Sequence, residues 1–153
     1  MARRRSNRAG LARSVALSRR ATQSPLRRRL RFEPLEDRRL LAGVTVGNFL
    51  DVVNGSTTSI TSLIAGDGGD GISLREAILA ANATAGADEI TFDAGLSGAT
   101  ITLGGTQLAI TEALVIDARP LAANVTIDAN ELSRIFNITA TTGDFTLGGL
   151  TLT

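Results

Sequence analysis

The sequence contains no cysteine, histidine, lysine, tryptophan or tyrosine. Each absence removes a class of chemistry. Without Cys or His there is no zinc centre of the usual kinds, no Ser-His-Asp triad and no thiol nucleophile. Without Trp and Tyr, the usual stacking platforms for sugars and bases are missing. Five Phe remain, and those on strand-like stretches read as core. No apolar run approaches the roughly 20 residues a membrane-spanning helix needs.

The charge that is present is unevenly placed. Met1 to Gly43 hold thirteen arginines and three acids, about +10, whereas Val44 to Thr153 hold three arginines and twelve acids, about −9. Such a split separates a tail, residues 1–43, from a domain, residues 44–153. Residues 1–31 are rich in Arg, Ser and Ala and carry no acid. A segment of that composition cannot bury enough apolar surface to fold alone, so a disordered basic tail is expected. It also has the composition of a targeting segment. It lacks the interleaved aromatics of a single-strand binder, so no specific nucleic acid is expected as partner.

The stretch "RFEPLEDRRLLAG" follows, residues 31–43. Pro34 breaks any helix arriving from upstream. Phe32, Glu33, Pro34, Leu35, Glu36, Arg38, Leu40, Leu41 and Ala42 resemble the "LEP-x-E-x-R-x-LLA" element of large secreted and surface proteins of planctomycete-type bacteria. The resemblance implies sorting to the bacterial envelope or beyond, hence a secreted or cell-surface location.

"VTVGNFLDVV", residues 44–53, reads as a strand, and "NGSTTS" after it as a turn. "AGDGGDG", residues 65–71, is a glycine-aspartate loop. Asp67 and Asp70 invite a calcium reading, but the EF-hand spacing fails. With Glu76 as the last ligand, the first would be Ala65, which has no carboxylate. A tight turn is the simpler account.

"GISLREAILAAN" carries the best-formed helix signal. Ser73 is a good N-cap and Glu76 falls at the third helical position, completing a capping box. Leu74, Ala77, Ile78 and Ala81 form one apolar stripe. Gly86 suits the C-terminal cap. The helix, from 74 to about 84, needs something apolar to lie on.

Apolar-x-apolar pairs supply it, because they place both apolar residues on one strand face. They sort into three columns. The first is Ile90/Phe92, Leu114/Ile116 and Phe136/Ile138. The second is Ile101/Leu103, Val125/Ile127 and Phe145/Leu147. The third is Leu108/Ile110, a weak Leu132, and Leu150/Leu152. "LGG" closes two pairs of the second column. A period of about 22 residues with three strands per turn indicates a solenoid. The expected fold is all-β: a right-handed parallel β-helix of about three turns, capped at its N-terminal mouth by one amphipathic helix. "ISLREA" before such turns resembles the "CSLREA" module that starts large bacterial β-helix surface proteins, with Ile72 in place of the leading Cys. The resemblance implies fold and location more firmly than activity.

Candidate sites are sparse. Asp93 and Asp117 leave two strands at equivalent points, so they should stack on neighbouring turns; Asx-turns are the plainer reading of each. Calcium is therefore the sole cofactor considered, at Asp67, Asp70, Asp93 or Asp117. Arg119 and Arg134 read as surface charge. Thr102, Thr126 and Thr146 should form an outward ladder. The function expected is a non-enzymatic surface module, the front of a larger adhesin-like or display protein. The alternative is the N-terminal part of a β-helix polysaccharide lyase or hydrolase whose active site lies beyond residue 153. Partners would be further β-helix turns, or another chain, at the C-terminal end, and an envelope or extracellular ligand.

Overall fold

The computed structural model describes residues 41–140 and 143–153. Short strands in parallel sheets make up most of their regular structure. The first sheet has the order β1 (Ala42–Val46), β2 (Asp88–Phe92), β5 (Leu114–Asp117), β8 (Phe145–Gly148). The second is β3 (Thr100–Thr102), β6 (Val125–Asp128), β9 (Leu150–Leu152), and the third is β4 (Leu108–Ile110) beside β7 (Phe136–Ile138). Every pairing is parallel. From β2 onward the chain visits the first, second and third sheets in turn and then repeats. Neighbours within a sheet therefore come from successive circuits.

Local sequence explains the strands. Alternating residues such as Ile90 and Phe92, Leu114 and Ile116, and Val125 and Ile127 bury one face, and the residues between them, Thr91, Val115 and Thr126, are only half-buried. The inward residues stack in register: Val44 on Ile90, Ile90 on Ile116, Ile116 on Leu147. Val46, Ile90, Ile110, Ile116, Val125 and Ile127 are fully buried. A continuous apolar interior of this kind is the main stabilising term.

The third circuit departs from the expected columns. Phe136/Ile138 stacks on Leu108/Ile110 in the third sheet, not on Leu114/Ile116. Phe145/Leu147 joins the first sheet and Leu150/Leu152 the second. Leu132 is no strand residue; it lies in a turn, 65% exposed. The register steps are longer than expected and unequal, from Ile127 to Leu152 in the second sheet and from Ile116 to Leu147 in the first.

The connections explain the error. Between β6 and β7 a loop is inserted, in which Asn130 and Glu131 adopt positive φ. Between β8 and β9 only Gly149 intervenes, where earlier circuits use a seven-residue link. Gly149 has φ 68°, and a Cβ there would collide with the backbone of Ala118 and Arg119. Only glycine permits so close an approach. The two "LGG" stretches are thus not equivalent: one leaves the second sheet and the other leaves the first.

Two helices precede β2. The helix α1 (Ile60–Ala65) was not anticipated; Ser59 caps it and Ile60 and Leu63 are buried. Six residues are too few to show a helical period. The helix α2 (Leu74–Ala83) has the expected start, but its C-cap is Thr84 rather than Gly86. The Thr84 hydroxyl accepts from Ile60 N–H and donates to the Ala80 carbonyl, tying the helices together. A 3₁₀ turn, Ala94–Leu96, also interrupts the strands.

The expected strand 44–53 is shorter and begins earlier. β1 starts at Ala42, so Ala42 and Gly43 are paired strand residues rather than tail. It ends at Val46 because Gly47 and Asn48 turn their N–H groups to the Ile72 carbonyl. Residues 47–56 then run irregularly across the N-terminal end of α2.

Candidate functional site

Four polar residues converge where residues 47–56 meet α2. Glu76 is fully buried. Its Oε1 accepts from the N–H groups of Asn54 and Gly55, both at 2.7 Å, and its Oε2 accepts from Ser73 N–H at 2.9 Å. Burial alone would raise its pKa; the N–H donors of Ser73, Gly55 and Asn54 outweigh burial and hold it below the usual carboxylate value. Ser73 accepts from Glu76 N–H and donates to the Val52 carbonyl at 2.6 Å. The expected capping box is present, and it does more than cap. It fastens a loop that has no sheet partner of its own.

Arg75 completes the latch. Its guanidinium forks onto Asp51 at 2.7 and 2.9 Å and also donates to the Thr106 and Gln107 carbonyls. Asp51 in turn accepts from Gly104 N–H. One planar cation thereby joins the loop, the helix and the link between β3 and β4. Sequence reasoning identified Ser73 and Glu76 but missed Asp51 and the service of Arg75. Asp51 lies 24 positions from Arg75, and nothing local pairs them.

The carboxylates considered for calcium are occupied locally. Asp67 accepts from Gly69 N–H, and Asp70 from the Asn54 side chain. Asp93 accepts from Gly95 N–H, an Asx-turn that starts the 3₁₀ turn. Asp117 accepts from Arg119 N–H and pairs with the Arg119 side chain at 2.8 Å. Asp93 and Asp117 do not stack: Asp117 lies opposite Thr91. The register is displaced by two because Asp88, and not Ile90, lies opposite Leu114. Among the described residues no three acids gather. Arg119 and Arg134 are exposed.

The threonine ladder is also rearranged. Thr100, Thr126 and Thr151 align on the second sheet, with Asp128 opposite Thr102. Thr146 lies on the first sheet beside Val115.

Asp88 was not singled out from the sequence. It faces inward between Ala42 and Leu114 and is 1% exposed. Its Oδ2 has no partner among the described residues. Burial raises its pKa against the opposing N–H of Ala42, and the nearby Glu112 raises it further.

Of the sorting-element residues, Glu33, Pro34, Leu35, Glu36, Arg38 and Leu40 lie outside the described residues, as does the arginine tail. Leu41 is exposed and Ala42 opens β1. A family model described as Planctomycete extracellular matches residues 27–44. That match spans the "RFEPLEDRRLLAG" stretch and runs into β1. No curated protein and no solved structure matches the chain. Among the described residues no helix is long and apolar enough to cross a membrane. The match supports a planctomycete-type extracellular protein, one that is secreted or held at the cell surface.

Proposed function

We propose that residues 42–153 form the start of a right-handed parallel β-helix that serves as a non-enzymatic display or adhesin-like module on this extracellular protein. The supporting observation is the use made of Ser73, Arg75 and Glu76. These are the polar residues of the motif that resembles "CSLREA", and all three are committed to joining the loop, α2 and the β3–β4 link. A hydroxyl, guanidinium and carboxylate used in this way position backbone. The motif is a starter clamp: it closes one end of the coil so that circuits can stack beyond it. The segment 31–43 supplies the sorting element, and the other end receives further coils or another chain.

The test has two arms. Antibody raised against residues 44–153 should label intact native cells or their medium, and deletion of residues 31–43 should abolish that labelling while the protein accumulates inside. Unchanged surface labelling after the deletion overturns the sorting reading. The purified chain should release no fragments from polyuronates or neutral polysaccharides; steady turnover overturns the non-enzymatic reading.

A further inference from the structure

Asp88 is a buried carboxylate that the latch does not use. It faces inward at the first paired position of β2, between Ala42 of β1 and Leu114 of β5, and is 1% exposed. The N–H of Ala42 is the one hydrogen-bond donor set against its burial, and its Oδ2 has no partner among the described residues. A buried carboxylate ordinarily carries a cation or a full set of donors. Among the described residues no side chain supplies either. The chain has no lysine or histidine. Arg75 is paired with Asp51 and Arg119 with Asp117, and Arg134 is exposed. The nearby Glu112 adds like charge.

The place of Asp88 selects the missing cation. Ala42 is where the matched segment, residues 27–44, passes into the domain. On one side of it Leu41 is 55% exposed and belongs to no strand. On the other, Ala42 packs against the core and opens the ladder opposite Asp88. The nitrogen between these two residues is a peptide N–H and can give the carboxylate one hydrogen bond. The same nitrogen as a chain terminus is an ammonium at neutral pH, with three N–H donors and a full positive charge. It can serve both carboxylate oxygens and neutralise them, with no other group moved into the interior.

We infer that the Leu41–Ala42 bond is a processing site and that Asp88 is the receptor for the ammonium of a new N terminus at Ala42. An endopeptidase of the export route adds water across that bond. The C–N bond breaks, the hydroxyl goes to the carbonyl carbon of Leu41, and the nitrogen takes the remaining hydrogen and the proton that the new Leu41 carboxyl releases. Ala42 is paired in β1 once the domain has folded, so the cut precedes that pairing and the new terminus is folded in. Asp88 fixes which bond is meant, because only the nitrogen of Ala42 lies against it. The inference rests on reading residues 31–43 as the sorting element: the element is used during export and all of it before Ala42 is then discarded.

The N-terminal mass of the protein recovered from native cells and their medium tests this. The exported chain should begin at Ala42. An exported chain that begins anywhere else overturns the inference and leaves the sorting reading standing. A chain kept inside and cut at Ala42 overturns the sorting reading alone, and one kept inside uncut overturns both. A second measurement reads the receptor. The chain has no lysine, so the terminal amine is its sole amine and can be labelled without background. In the processed protein, labelling by an amine-reactive ester near pH 8 should be slowed more than about tenfold relative to the same chain in urea, because a buried opposite charge holds the amine protonated. Asp88→Asn should remove most of that protection. The same variant should lower the melting point of the processed chain at neutral pH and raise that of the uncut chain. Equal labelling in the folded and unfolded states, or a melting-point change of one sign in both chains, overturns the receptor. If the Asn variant does not fold, the wild-type labelling comparison decides alone.

Discussion

The two ends of this fold are built from different materials. The N-terminal end carries buried polar fastenings: a carboxylate and a hydroxyl satisfy the backbone of the 47–56 loop, and a guanidinium ties that loop's Asp51 to the β3–β4 link. The C-terminal end is apolar and half-exposed, with three strand edges and, among the described residues, no side-chain fastening of comparable extent. A loop must have its peptide groups satisfied individually, because burying them unpaired costs far more than each bond adds. A strand edge carries a regular row of donors and acceptors that any matching strand satisfies together. One end is therefore specified side chain by side chain, and the other by repetition.

The largest test of this contrast places the same charge at the middle and at the C-terminal end of one stacked column. Ile127→Lys should cost more than about 4 kcal/mol and unfold the domain, since it buries an unpaired ammonium. Leu152→Lys, one circuit further on, should cost less than about 1 kcal/mol in dilute monomer. Urea melts followed by circular dichroism compare the two; similar losses would show that the open end is as closely packed as the middle.

Glu76→Ala should follow, at about 3–5 kcal/mol, because three N–H groups lose one acceptor. Its pH dependence has a definite sign. The folded pKa lies below the usual value of 4.5, so the stabilisation is complete above that value and is lost as pH falls through the folded pKa. Glu76→Gln should flatten that acid limb; an unchanged limb assigns it elsewhere. Asp51→Ala should cost about 2 kcal/mol, from an ion pair that is mostly shielded from solvent and a lost acceptor for Gly104. Ser73→Ala should cost about 1 kcal/mol as a lost cap, read from the same melts.

The smallest effect has the opposite sign. Asp88 is raised above its usual 3.8, so the fold disfavours its charge. That penalty is absent below the unfolded value and complete above the folded one. Asp88→Asn keeps an acceptor for Ala42 N–H and should raise the melting point at neutral pH, with the gain fading in acid. A lower melting point at pH 7 would show that the carboxylate has a partner that only the charged form can hold.

How much of this was legible in the sequence varies by element. Helix α2 was readable to its cap, because Ser73, Glu76 and the Leu74–Ala81 stripe lie within one another's reach along the chain. The strand pairs were readable too, since Phe145/Leu147 or Leu150/Leu152 must alternate wherever they lie. Their sheet was not. An apolar-x-apolar pair states which face is buried and carries no mark of its neighbour. Equal spacing was the only guide, and the inserted β6–β7 loop and the single-glycine β8–β9 link broke it. Asp88 shows the same limit: its polarity argued for solvent, and the register placed it inside.

What the sequence by itself determined is everything carried by contacts between near neighbours: the cap, the alternation, the Asx-turns at Asp93 and Asp117, the divided charge and the extracellular element. What only the tertiary structure decided is everything that depends on residues far apart in the chain. Asp51 finds Arg75, Glu76 finds Asn54 and Gly55, and Leu150 finds Val125 and not Leu108. The physical reason is that local geometry fixes a strand's face, whereas its neighbour depends on the lengths and turns of the connections between. Those become settled only when the apolar interior is packed and the buried polar groups are paired.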